Sequence, residues 1–146
     1  MLIALVGASG CCMYRSATFA VTNSTGKDVR LSYVLARDCN ALGSKVFMPR
    51  LVAADRVEAG GDSAGTPASY TCDPRTKQVS FVLLAGQGVA LYRDIVERGC
   101  TSGPSNPVES LSVENSGGSL AASGRHVRAL FNRRSAEFYV LDLVHP

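Results

Sequence analysis

At 146 residues the chain fits one domain, since single domains peak near about 100 to 150 residues and leave no room at this length for a second core. Hydrophobic residues make up 46% and charged residues 18%, a balance that excludes an extended disordered chain and confines irregular structure to loops. A formal charge of +3, with no Trp and five Tyr and five Phe, lacks the dense cationic stripe and stacking aromatics of a nucleic-acid binder.

The chain opens MLIALVGASGC. The apolar run Leu2 to Val6 is too short to cross a bilayer as a helix, which takes about 20 residues. It suits the apolar core of a signal peptide, followed by small residues where a peptidase grips an extended backbone. Ala8, Ser9, Gly10 and Cys11 resemble a lipobox, the cleavage and lipidation site of bacterial lipoproteins. The resemblance implies that residues 1–10 are removed and that Cys11 becomes the acylated chain start. Residues 11–17 would form a tether, and 18–146 the folded domain. It also implies a membrane partner, each buried CH₂ contributing about 0.8 kcal/mol, and, with Cys12 rather than Asp next, the outer membrane of a diderm cell. A phosphate-binding loop is excluded: counted from Gly7, its Gly, Lys and Ser/Thr positions are Cys12, Met13 and Tyr14. A buried N-terminal strand over residues 2–6 is the rival reading.

From Thr18 onward short β-rich runs alternate with turn clusters. Phe19 and Val21 precede a turn at residues 23–28, and Val29, Leu31, Tyr33 and Leu35 alternate with polar residues, which predicts a hairpin with one wet face. Residues 46–52 read as a strand broken at Pro49, and 59–69 as a loop. Residues 79–85 and 89–96 flank a reversal at Gly86 to Gly88, predicting a second, central hairpin. Residues 99–107 read as a loop and Leu111 and Val113 as a short strand, with a mobile stretch at 115–124. The strands predicted over 127–131 and 136–144 flank a turn at 132–135. With no crossover helices, this order predicts one all-β domain, an antiparallel sandwich of about 7 to 8 strands, immunoglobulin-like or transthyretin-like.

Five cysteines with no CxxC spacing point to an oxidising compartment rather than to zinc. Facing residues of a hairpin have numbers with a constant sum, so a turn at 86–88 predicts a Cys72–Cys100 disulfide. A turn near residue 25 or 26 suggests, less directly, Cys12–Cys39, with a buried free Cys39 thiol as the equal alternative. If both bridges form, Cys11 is left over for a lipid.

Enzyme signatures are thin. His145 is next to last, His126 sits among arginines, and no GxSxG elbow exists, so a Ser-His hydrolase built on His126 ranks last. Asp55, Glu58 and Asp62 surround a turn without an EF-hand pattern, and neither a metal nor a cofactor is expected. Arg125, Arg128, Arg133 and Arg134 form a basic cluster that either contacts anionic partners or keeps a sheet edge soluble. The sequence therefore predicts an exported, lipid-anchored, non-enzymatic binding or structural module of the cell envelope. Its partner would be another envelope protein or a glycan, met through loops 59–69 and 99–107. A small inhibitor of an extracellular enzyme is the alternative.

Overall fold

The apolar faces that alternate along the sequence are buried against one another between two stacked sheets. The computed structural model describes residues 13–43, 49–54, 65–98, 107–135 and 138–144, with the backbone alone at 13–16 and 94–98. In chain order the elements are β1 (Met13–Asn23), β2 (Val29–Leu35), a 3-10 turn (Cys39–Gly43), β3 (Arg50–Ala53), β4 (Thr66–Pro67), β5 (Thr71–Asp73) and β6 (Gln78–Leu83). They continue with β7 (Gln87–Arg98), β8 (Val108–Asn115), β9 (Gly118–Ser123), α1 (Arg125–Ala129), β10 (Asn132–Arg133) and β11 (Phe138–Leu143). One sheet has the order β10-β11-β1-β7-β3-β4 and the other β5-β6-β2-β8-β9. The all-β sandwich is therefore present, with more strands than the sequence suggests: β4, β5 and β10 are too short to leave a periodic trace, and β9 lies in a stretch expected to be mobile.

Two strand pairs read as hairpins are arches instead. β1 and β2 lie in different sheets, as do β6 and β7. Alternation of apolar and polar residues fixes which face of a strand is buried, but not whether its neighbour in sequence is bonded edge to edge or stacked across the core. Residues 24–28 and 84–86 are each long enough to cross the roughly 10 Å between stacked sheets. Gly86, with φ at 76°, takes the left-handed bend of the second arch and donates its N–H to the Asn23 carbonyl of the first at 2.8 Å.

The sandwich is not wholly antiparallel. β1 runs parallel to β11, with Thr18 facing Phe138 and Asn23 facing Leu143, and antiparallel to β7 on its other side. A parallel neighbour needs a long connection, and here nearly the whole chain supplies it. Enclosed between two strands, β1 is buried on both faces. Phe19 and Val21 enter the main core, while Ala20 packs with Val140 and Val52 on the opposite face. β1 also begins at Met13, inside the stretch expected to be a tether.

Two further segments differ from expectation. Residues 118–123, read as mobile, form β9, paired with β8 from Ser110–Ser123 to Asn115–Gly118. Residues 127–129, the start of the strand expected over 127–131, belong to α1. Val127, Leu130 and Phe131 are spaced three and four apart, the helical interval, and Val127 and Phe131 are buried. The disulfide also departs from both predicted pairings: Cys39 is bonded to Cys72, with Cα atoms 6.0 Å apart. The constant-sum argument required β6 and β7 to be ladder partners. Instead β6 pairs with β5, where Cys72 faces Val79.

Candidate functional site

The two ends of the sandwich differ. At one end, called here the near end, Met13 faces Arg98 and Leu35 faces Val108, and the Cys39–Cys72 bridge lies on this side of the second sheet. At the far end lie the 24–28 and 84–86 arches and the β8–β9 turn. β1 connects the ends over 11 residues, about 35 Å at strand rise.

A groove of about 400 Å³ opens at the far end, between the end of β11 and the β8–β9 turn. Val29, Val113, Leu141 and Leu143 give it an apolar floor, and Lys27, Leu120 and Val144 reach it from the sides. Leu120 is 36% and Val144 66% exposed, so the apolar surface continues onto the rim. β10 pairs only with Tyr139 and Val140, which leaves β11 without a β10 partner over the residues that border the groove.

The groove wall is rigidly built. Asn23 is fully buried; its Nδ2 donates to the Lys27 and Leu83 carbonyls at 2.8 and 2.9 Å. Its Oδ1 accepts from the Thr25 amide at 3.2 Å and the Thr25 hydroxyl at 2.7 Å. This one amide pins the 24–28 arch to β6 and so places Lys27 at the groove. Opposite, Asn115 Oδ1 accepts from the Gly117 amide at 2.8 Å and shapes the β8–β9 turn. Asp142 also borders the groove, but its carboxylate accepts from the Thr22 hydroxyl and is paired with Arg134. Its oxygens are engaged in structure.

The four arginines of the predicted basic cluster separate into different tasks. Arg134 pairs with Asp142. The Arg128 guanidinium lies 5.7 and 5.8 Å from the ring centroids of Phe19 and Tyr139, within cation–π range. Those rings belong to a three-strand stack, with Phe19 against Tyr92 at 4.8 Å and against Tyr139 at 4.9 Å, and Phe131 edge-on to Phe19 at 5.4 Å. Arg128 therefore sits over the core from a helix, not on the wet face of a strand. Arg133 Nε bonds the Ser135 carbonyl at 3.2 Å, and Arg125 is exposed on α1.

His126 is exposed and makes no hydrogen bond among the described residues, so nothing there orients it toward a serine. Cys11, Cys12 and Cys100, and Asp55, Glu58 and Asp62, lie outside the described residues, as do residues 2–6 and His145. Of the two loops expected to act together, the one after β3 leaves the far end, because Ala53 faces Gln87. The other lies between β7 and β8, whose flanking residues Arg98 and Val108 are at the near end; residues 55–64 and 99–106 themselves lie outside the described residues. The groove leaves no trace in the sequence, because three separate chain segments build it and none carries a motif.

One buried polar group stands apart. The Tyr33 hydroxyl lies in the core with no hydrogen-bond partner among the described residues. Burial pushes the phenol far above its ordinary pKa, and nearby Tyr70 adds to the shift.

Compared with models of known protein families, with curated proteins and with solved structures, the chain finds no significant match.

Proposed function

We propose that the chain is an exported, lipid-anchored, non-enzymatic binding module of the bacterial envelope, tethered through Cys11 and using the far-end groove to hold an apolar partner segment. The observation that carries this reading is the polarity of β1. Its first residue, Met13, is at the near end, two positions from Cys11, and its last, Asn23, supports the groove wall about 35 Å away at strand rise. A chain anchored at Cys11 then holds the groove away from the membrane, on a strand that starts almost at the anchor. The Cys39–Cys72 bridge fits an oxidising envelope compartment.

The sandwich belongs with the immunoglobulin-like or transthyretin-like arrangements, supported by the arches that carry the chain from one sheet to the other. Partners are an envelope protein or a glycan-bound chain that presents an apolar side, with Lys27 favouring an acidic flank.

Two measurements test it. Intact mass of protein extracted from membranes should show a chain that starts at Cys11 and carries acyl groups, and native material that keeps Met1 would refute the anchor. An anilinonaphthalene sulfonate probe, apolar with one anion, should bind the folded domain. Leu120→Asp, which places a charge on the groove rim, should weaken that binding roughly tenfold, on the order of 1.4 kcal/mol. Unchanged binding would remove the groove from the reading.

A further inference from the structure

The seam between the two sheets, on the side of β11 and β9, is filled unevenly. In its near half α1 packs against β8 and β9 and buries Val127, and β10 then pairs with β11 at Asn132–Val140 and Arg133–Tyr139. Because β10 is antiparallel to β11, its line would continue toward the far end along the residues that precede Asn132, and those are wound into α1 instead. The far half of the seam is the groove.

The backbone of β11 shows what this leaves open. The Leu143 carbonyl accepts from the Ser24 amide at 2.9 Å, on the β1 side, and the Phe138 carbonyl accepts from the Arg134 amide at 3.0 Å, on the β10 side. Backbone groups of successive strand residues alternate between the two neighbours, so the even-numbered residues of β11 bond outward. Val140 meets β10 there, whereas the N–H and C=O of Asp142 point past the end of β10 and have no backbone partner among the described residues. Leu141 and Leu143 face the core and the groove floor, while the Asp142 side chain lies on the other face with its charge matched by Arg134. Of the charged residues bordering the groove, Lys27 is left exposed and without an ion pair among the described residues.

We propose that the groove receives one extended strand of a partner protein, laid antiparallel along Leu141–Val144 in line with β10, with an acidic residue at its N-terminal end beside Lys27. This occupant rests on the groove reading above. Main-chain bonds to the open edge supply affinity and pockets for alternate side chains supply specificity. The antiparallel sense continues that of β10 and pairs more strongly per residue than the parallel one. It also starts the added strand at the far end, where the 24–28 arch holds Lys27. The residue opposite Asp142 shares its face and is polar, and its neighbours on either side drop apolar side chains onto Val29, Val113, Leu141 and Leu143.

The test uses the full chain and three capped hexapeptides, Glu-Xaa-Thr-Xaa-Thr-Xaa, with Val, Leu or Phe at every Xaa. At least one should bind saturably below about 1 mM, and binding should slow hydrogen exchange at the Asp142 amide. N-methylation of the threonines, whose N–H groups face β11, should weaken binding roughly tenfold, and N-methylation of the Xaa residues should cost less. Lys27→Glu should weaken the Glu peptide and strengthen one that begins with Lys, each roughly threefold. Equal losses from the two methylations, an Asp142 amide that stays open, or affinities indifferent to Lys27→Glu would overturn the strand. So would an Asp142 amide already protected in a chain that sediments as a dimer, which would make a second copy the occupant. If anilinonaphthalene sulfonate binds and Leu120→Asp weakens it while no peptide binds, the strand falls and the groove stands; if neither probe binds, both fall.

Discussion

Asn23 gives the sharpest energetic test of how the far end is built. Its side chain makes four hydrogen bonds while fully buried, two donated to the Lys27 and Leu83 carbonyls and two accepted from Thr25. At a net of about 1 kcal/mol each, Asn23→Ala should cost roughly 3 to 4 kcal/mol. That corresponds to a melting midpoint lower by roughly 10 °C for a chain of this size. Urea denaturation followed by near-ultraviolet dichroism reads the loss directly. Asn23→Asp keeps the volume but turns a double donor into a charge aimed at two carbonyl oxygens, so at neutral pH it should cost more than Asn23→Ala. The introduced carboxyl is held above its unfolded-state pKa in the folded protein. Its penalty is therefore absent below the unfolded pKa and grows as pH rises through the folded one. Equal losses for the two variants, or less than about 1 kcal/mol for Asn23→Ala, would mean that the side chain only fills space and that the arch is held by other contacts.

Three further outcomes are expected. Replacing Cys39 and Cys72 together by Ser releases a loop of sequence separation 33, and denaturation should show a loss of about 4 kcal/mol on the loop-entropy scale. Tyr33→Phe removes a buried hydroxyl that has no partner among the described residues, so stability at pH 7 should hold or rise by about 1 kcal/mol. Because the folded pKa of Tyr33 is raised, the wild type loses stability as pH climbs above the unfolded value near about 10, and Tyr33→Phe should lose less; identical alkaline titrations would contradict this. Arg128→Ala should cost about 1 kcal/mol through its ring contacts, against less than about 0.5 for Arg125→Ala on the exposed face of α1, and equal effects would argue against the cation–π contact.

How much of this could be read in advance depends on which interaction a pattern reports. Alternation at Val29 to Leu35 and at Phe19 and Val21 locates both strands and their core-facing residues, because these depend on the strand's own period, but it misses that β1, enclosed between β7 and β11, is buried on its other face as well. It could not report pairing, since a residue opposite in the ladder and one opposite across the core leave the same alternation. Cys72 shows the consequence: a hairpin at 86–88 assigns its sulfur to Cys100, whereas the β5–β6 pair carries it toward Cys39. The α1 segment did hold a readable signal in the spacing of Val127, Leu130 and Phe131, masked by its β-branched and aromatic content. The groove had none, since Lys27, Val113, Leu120 and Leu143 meet only after both sheets are formed.

The side-by-side placement of β1 and β11 has a consequence for how the molecule is made. Synthesis delivers residue 13 long before residue 138, yet the flank of β1 away from β7 is sealed only by Phe138–Leu143. A chain released before β11 is made would leave the β1 edge of the sheet unpaired. The early strand must therefore stay shielded until the tail arrives, and removing residues 135–146 should yield inclusion bodies rather than a smaller folded protein.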